Sequence, residues 1–223
     1  MLPENITPIR KQYLEIKKQH PDAILFFRLG DFYETFDKDA EITSKILDIV
    51  LTSRSGAKGQ RIPMAGIPFH AAENYIGRLI DHGYHVAICE QVGEQPKRGL
   101  FPRKVTRIIT PGTIIEPGLL KKEKNNYLLT FLIQEHQAGL SYVDISTGEF
   151  FSTELNEPNS EDLINAEISR LDPAEIILPE SYGNNPLAGY HVSRMPDWKF
   201  EFNRCNTVLI EKFNTATMDG FGF

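Results

Sequence analysis

Ala23-Ile24-Leu25-Phe26-Phe27-Arg28-Leu29-Gly30-Asp31-Phe32-Tyr33-Glu34 is the stretch on which the fold turns. Residues 23–27 form a short, unbroken apolar run, the pattern of a strand buried on both faces, and Gly30-Asp31 ends it with a turn. Side chains just past such a turn can project from the edge of a rigid sheet. Phe32 and Glu34 are two residues apart, so in extended backbone they point the same way while Tyr33 packs behind.

Before this stretch, Thr7-Pro8 offers an N-cap with proline at the first helical position, and Ile9, Tyr13 and Ile16 recur at helical spacing as far as His20-Pro21. After it, Asp37 is a candidate cap for a helix through Ala40, Ile42, Ile46 and Leu47. Residues 49–52 read as a strand leading into an irregular, glycine-bearing loop at 53–60. A helix over 71–82, stopped by Gly83, precedes strands at 84–90 and 105–110. Alternating helix and strand make this half α/β.

Residues 116–126, with Glu116-Pro117-Gly118 followed by a charged stretch that has no periodicity, read as a linker. It separates a domain over 1–115 from one over 127–223. The second opens with strands at 127–134, 139–145 and 149–154, continues with a helix at 160–171 and a strand at 175–178, and has a late helix near 203–213. The order β-β-β-α-β resembles the ribonuclease H-like layout. The abrupt Gly220-Phe221-Gly222-Phe223 reads as the end of a fragment, which leaves the second domain C-terminally truncated.

A 41% hydrophobic, 24% charged chain with 14 Phe and 8 Tyr supplies real cores in 223 residues and excludes a disordered protein. No signal or membrane-spanning pattern is present, and there are two isolated cysteines, Cys89 and Cys205, so a cytoplasmic protein with reduced thiols is expected. The net charge of −6 is unevenly spread: residues 1–115 hold 16 Lys+Arg against 13 Asp+Glu, and residues 116–223 hold 8 against 17. Positive charge gathers at Arg54, Lys58 and Arg61 and again at Lys97, Arg98, Arg103, Lys104 and Arg107. A polyanion would meet the first half, although solvated loops have the same composition.

An aromatic wedge driven into duplex DNA costs a few kcal/mol of unstacking and recovers about 1–3 kcal/mol from stacking. On paired, stacked bases that balance is near zero; on a mispaired or unpaired base it is favourable. Phe32 has the chemistry of such a wedge. Glu34 beside it is repelled by phosphates unless it meets a base-edge donor or is protonated by burial. Phe32-Tyr33-Glu34 alone equally fits core packing with an acidic helix cap.

The chain around the wedge carries more. Residues 26–36 (Phe-Phe-Arg-Leu-Gly-Asp-Phe-Tyr-Glu-Thr-Phe), 63–70 (Pro-Met-Ala-Gly-Ile-Pro-Phe-His), 87–91 (Ala-Ile-Cys-Glu-Gln) and 107–113 (Arg-Ile-Ile-Thr-Pro-Gly-Thr) resemble, in order, the mismatch-recognition domain of the MutS mismatch-repair family. Residues 142–150, 172–179 and the closing Gly-Phe-Gly resemble that family's connector domain. The resemblance implies two α/β domains, a mixed-sheet recognition domain followed by a ribonuclease H-like connector. It implies that Phe32 stacks on a mispaired base from the minor groove, that Glu34 hydrogen-bonds that base, and that Met64 lies beside the wedge. Arg54, Lys58, Arg61, Arg103 and Lys104 are backbone-contact candidates from charge alone.

The same resemblance implies mismatched double-stranded DNA and a MutL-type protein as partners, a homodimer in the full-length protein, and a bacterial protein associated with the nucleoid when on DNA. ATP and Mg²⁺ are expected only in the ATPase domain of the full-length protein, since no phosphate-binding Gly-x-x-x-x-Gly-Lys-Ser/Thr occurs here. Catalytic residues, cofactors and metals are therefore expected to be absent. His82-x-x-His85-x-x-x-Cys89 does not have the spacing of a zinc site. Two alternatives stand beside mismatch reading: a protein-interaction module without DNA binding of its own, and a metal-dependent nuclease built on Asp144, for which no partner carboxylates are evident at the strand ends, Glu149 and Glu154 falling at the edges of a solvent-facing alternation.

Overall fold

The computed structural model describes residues 6–55, 61–93, 99–120, 124–134, 137–155, 159–183 and 187–221. They fall into two compact units, residues 1–126 and 127–223.

In the first unit α1 (Pro8–Gln19) starts where Thr7 Oγ1 accepts a hydrogen bond from the Arg10 N–H and Pro8 occupies the first turn. β1 (Ala23–Leu29) and β2 (Phe32–Phe36) pair antiparallel as a hairpin, and α2 (Asp37–Leu47) follows directly. β3 (Thr52–Ser55) and β4 (Arg61–Pro68) lead to α3 (Ala72–Asp81), β5 (His85–Gln91) and β6 (Arg103–Ile109). The sheet order is β3-β4-β2-β1-β5-β6, antiparallel except where β1 runs parallel to β5.

Both faces of this sheet are covered. Leu25, Phe27, Phe36, Ala87 and Cys89 pack against Tyr13 and Ile16 of α1. Ile24, Phe26, Tyr33, Ile67 and Val86 pack on the other side against Leu47 of α2 and Ile76 and Leu79 of α3. Leu25, Phe26 and Phe27 are fully buried, as the apolar run predicts for a strand covered on both sides. The buried Asp39 carboxylate fixes α1, accepting from the Tyr13 hydroxyl (3.1 Å), the Lys17 ammonium (2.9 Å) and the Leu25 N–H (3.0 Å).

The structure departs from the local expectations at several points. Residues 49–51 are not a strand; the strand is β3, Thr52–Ser55. β4, over residues to which the sequence pattern assigns no element, is a strand although it carries Pro63, Gly66 and Pro68, because it pairs with β2 on one side and β3 on the other. Phe32 does not stand at a sheet edge: it opens an interior strand flanked by β1 and β4. Asp37 makes no cap; it lies inside α2 with φ of +52° and pairs with Arg10. Part of the stretch read as a linker packs on the first unit: Leu119 and Leu120 join its core, and Glu116 binds the Arg107 guanidinium at 2.6 Å.

The second unit is a meander of β7 (Tyr127–Gln134), β8 (Gln137–Asp144) and β9 (Glu149–Leu155), then α4 (Ser160–Leu171), β10 (Glu175–Pro179), β11 (Val192–Met195) and α5 (Phe202–Phe213). β10 returns parallel to β7 and β11 adds parallel to β10, giving the order β11-β10-β7-β8-β9. β11 falls between the strand at 175–178 and the late helix near 203–213, where the sequence pattern places no element. Leu129, Phe131, Leu140, Ile176 and Leu178 bury against Ile164 and Ile168 of α4. β9 is an edge strand exposed along nearly its whole length. Among the described residues no helix is long and apolar enough to cross a membrane.

Candidate nucleic-acid interface

The β1–β2 hairpin turns in two residues, Gly30 and Asp31, with Leu29 opposite Phe32. Gly30 has φ of +59°, and Asp31 is not among the positive-φ residues, the arrangement of a two-residue turn with glycine at its first central position. The sequence folds this way because glycine takes the left-handed conformation without a side-chain penalty and lets the following strand pair at once.

The turn is held from two sides. The Phe69 N–H, just after β4, donates to the Asp31 carbonyl at 2.9 Å. Arg28 donates from Nε to the Gly30 carbonyl at 2.6 Å, its guanidinium lies 3.6 Å from the centroid of the Phe69 ring, and its Nη1 sits 3.9 Å from Glu90. The Tyr33 hydroxyl donates to the same Glu90 carboxylate. Burial and that carboxylate push the Tyr33 phenol up to about 12, so it stays a donor at neutral pH. Arg28, Phe69 and Glu90 were not singled out from the sequence; only their place inside the ordered blocks marked them.

Alternation from this anchored turn sets the two faces. Tyr33 is buried with Phe26 stacked on it at 5.8 Å, whereas Phe32 and Glu34 stand on the opposite face. Phe32 is 48% exposed. Glu34 lies opposite Phe27 on β1 and Gly66 on β4, with its side chain 18% exposed. Burial pushes its carboxyl above the ordinary value, and the nearby Arg54 pulls part of that back. Met64, on the same face of β4, stands opposite Phe36 and packs into the core beneath α1. It is therefore next to Glu34 along the sheet rather than directly opposite Phe32.

The five candidate cations separate. Arg54, on β3, shares the face of Phe32 and reaches back across β4 to place Nη1 3.3 Å from Glu34 Oε2. Arg103 is on that face too, but its donors go to the Arg28 carbonyl (2.8 Å), the Gln12 side chain (2.9 Å) and the Phe101 carbonyl (3.1 Å), while its guanidinium covers the Phe27 ring at 4.9 Å. It is committed to holding the fold. Arg61 and Lys104 are exposed, on strand positions that alternate to the other face. Lys58 lies outside the described residues.

Cys89 is fully buried in the core beneath α1, where burial pushes its thiol up to about 12, and His82 Nδ1 lies 2.7 Å from the Arg78 carbonyl at the end of α3. In the second unit the Asp144 carboxylate is buried and accepts from the Ser146 N–H (2.9 Å) and hydroxyl (2.6 Å), so it shapes the β8–β9 turn. Glu149 is opposite Asp144 and exposed, and Glu154 is exposed near the end of β9.

Residues 7–117 match the family model described as MutS domain I, and residues 126–223 match that described as MutS domain II. Proteins named DNA mismatch repair protein MutS are similar along the chain. That of Dehalococcoides mccartyi is 50% identical over 222 residues, covering 98% of this chain and 25% of its own length. That of Symbiobacterium thermophilum is 47% identical over 232 residues, covering 100% of this chain and 26% of its own length. That of Syntrophomonas wolfei is 44% identical over 232 residues, covering 97% and 26%. The chain thus spans about a quarter of the length of these relatives.

Proposed function

The chain belongs to the MutS family, and from that premise we propose that its first unit reads mismatched or unpaired bases in duplex DNA by inserting Phe32 at the minor groove. One observation carries the reading: a half-exposed phenylalanine projects from an interior strand whose turn is clamped by Arg28 and Phe69, with a half-buried carboxylate on the same face. A wedge must be rigid to unstack a base, and an aromatic on a mobile loop would fold away at lower cost. Glu34 supplies the polar contact to the displaced base, and Met64 supports the floor of the site beside it. Arg61 and Lys104 remain candidates for phosphate contacts at the margins.

The second unit is proposed to meet protein instead. Residues 127–223 carry 5 Lys+Arg against 15 Asp+Glu, and β9 offers an exposed edge on which Phe150 and Phe151 are each about half exposed. Both suit a MutL-type partner better than a phosphate backbone. No catalytic step is assigned to this chain. Within the family, ATP and Mg²⁺ are proposed to bind outside the two matched domains, which is also where the homodimer would form.

Fluorescence polarisation on G·T and matched duplexes, with Phe32→Ala as the control, tests the wedge. Stacking of about 1–3 kcal/mol predicts a roughly 5- to 150-fold loss of mismatch affinity, with matched binding little changed. Mismatch preference that survives the substitution would sink the wedge.

A further inference from the structure

Arg54 and Glu34 lie on strands that do not neighbour one another, β3 and β2, yet their side chains meet at 3.3 Å over β4. Opposite Glu34 on β4 is Gly66, which places no side chain beside the carboxylate. The two partners differ in exposure: the Arg54 side chain is 46% exposed and the Glu34 side chain 18%. The cation is open to solvent while the anion sits down in the sheet.

We infer that Arg54 is a shared cation: it holds the Glu34 carboxylate in the free protein and passes to a backbone phosphate when a duplex docks, so that Glu34 meets the base as the neutral acid. The inference rests on the Phe32–Glu34 reading above and specifies how that site is regulated. The exchange is balanced. The guanidinium keeps its charge and trades one anionic oxygen for another, and a proton from solvent bonds to one carboxyl oxygen of Glu34.

The surroundings of Glu34 favour this order of events. Phe27 opposite it on β1 is apolar, and the guanidinium above that ring, Arg103, has its donors committed elsewhere. From α1, Arg10 lies over Phe36 and is paired with Asp37. Of the charged groups named on this face, Arg54 is therefore the one set against Glu34. Burial already favours the neutral carboxyl, and Arg54 opposes it. Drawing the cation away to a phosphate removes the opposing influence, and an ionised Glu34 left facing the DNA backbone would be repelled by it.

Two measurements on the 223-residue chain test the exchange. In the first, without DNA, side-chain carboxyl carbons are titrated by NMR, with Glu34→Gln identifying the resonance. Arg54→Gln should raise the Glu34 midpoint and Arg54→Lys should restore most of it; an unchanged midpoint overturns the proposal whatever the DNA does. In the second, a double-mutant cycle of Arg54→Gln and Glu34→Gln is run on a G·T duplex at low salt. A cation that must leave Glu34 to reach a phosphate gains less from the move, so Arg54→Gln should cost about two- to fivefold more affinity when residue 34 is Gln than when it is Glu. Equal losses mean a plain phosphate contact, and a larger loss with Glu34 present means an ion pair that persists on DNA; either overturns the exchange. Failure of the wedge reading looks different. Phe32→Ala then leaves mismatch preference intact, or the unsubstituted chain binds no duplex, while the DNA-free titration still reports the ion pair.

Discussion

Phe32 in the first unit and Phe151 in the second are the same residue at nearly the same exposure, 48% and 47%, and the chemistry around them differs. Phe151 stacks on Tyr142 at 5.0 Å, and Tyr142 meets Tyr127 edge-on at 5.1 Å, so its ring closes an aromatic ladder across three strands. It lies on an edge strand where one side of the backbone has no strand beside it. Phe32 opens an interior strand, and the described ring contacts involve its neighbours rather than itself: Tyr33 behind it and Phe69 beneath the Arg28 guanidinium. Exposure does not distinguish a ring that packs from one that projects. The distinction lies in whether the surrounding structure uses the ring or merely holds its backbone in place.

Four substitutions press on that contrast. The largest effect is expected at the turn. Gly30 at φ of +59° has open space where a Cβ would stand, so Gly30→Ala meets no neighbouring group and its cost is the left-handed backbone itself. A left-handed alanine predicts about 1–2 kcal/mol of destabilisation in urea unfolding. A neutral result would mean that the hairpin turns without that conformation, and the rigid-wedge argument would lose its base.

Next comes the direct comparison of the two rings. Phe151→Ala removes an aromatic pair and should cost about 0.5–1.5 kcal/mol of stability, whereas Phe32→Ala should stay within about 0.5 kcal/mol. Equal losses in thermal melts would show that Phe32 packs as much as Phe151 does, and the contrast between the regions would collapse.

The smallest effect is at Glu34. Its folded carboxyl is held above the ordinary value, so the folded chain binds that proton more tightly than the unfolded chain does. The associated stability is present at acid pH and lost as pH rises through the folded value. Glu34→Gln should therefore raise Tm at pH 7 by about a degree or two, with the gain vanishing below the ordinary carboxylate range. A lower Tm at pH 7 would mean that the Arg54 pair outweighs the burial cost. Residues that serve binding rather than folding often improve stability when replaced.

The sequence by itself determined the features that depend on neighbours along the chain. Thr7-Pro8 starts α1, the run from Ala23 to Phe27 is a doubly buried strand, Gly30 turns the hairpin, and α4 begins and ends as its periodicity predicts. Capping, hydrophobic period and left-handed glycine are local physics, legible within a few residues. The ordered blocks around Phe32 carried the family in the same way.

Tertiary structure decided what depends on register between distant segments. β4 became a strand in spite of two prolines because β2 and β3 pair with it on either side. Of the cations read from charge, it turned Arg103 inward to the Arg28 carbonyl and set Arg54 against Glu34, 20 residues away. It brought Glu90 to Tyr33 across 57 residues. Charge and residue type name the groups able to meet, but a strand shifted by one position would send every side chain to the other face, and only the assembled sheet fixes that shift.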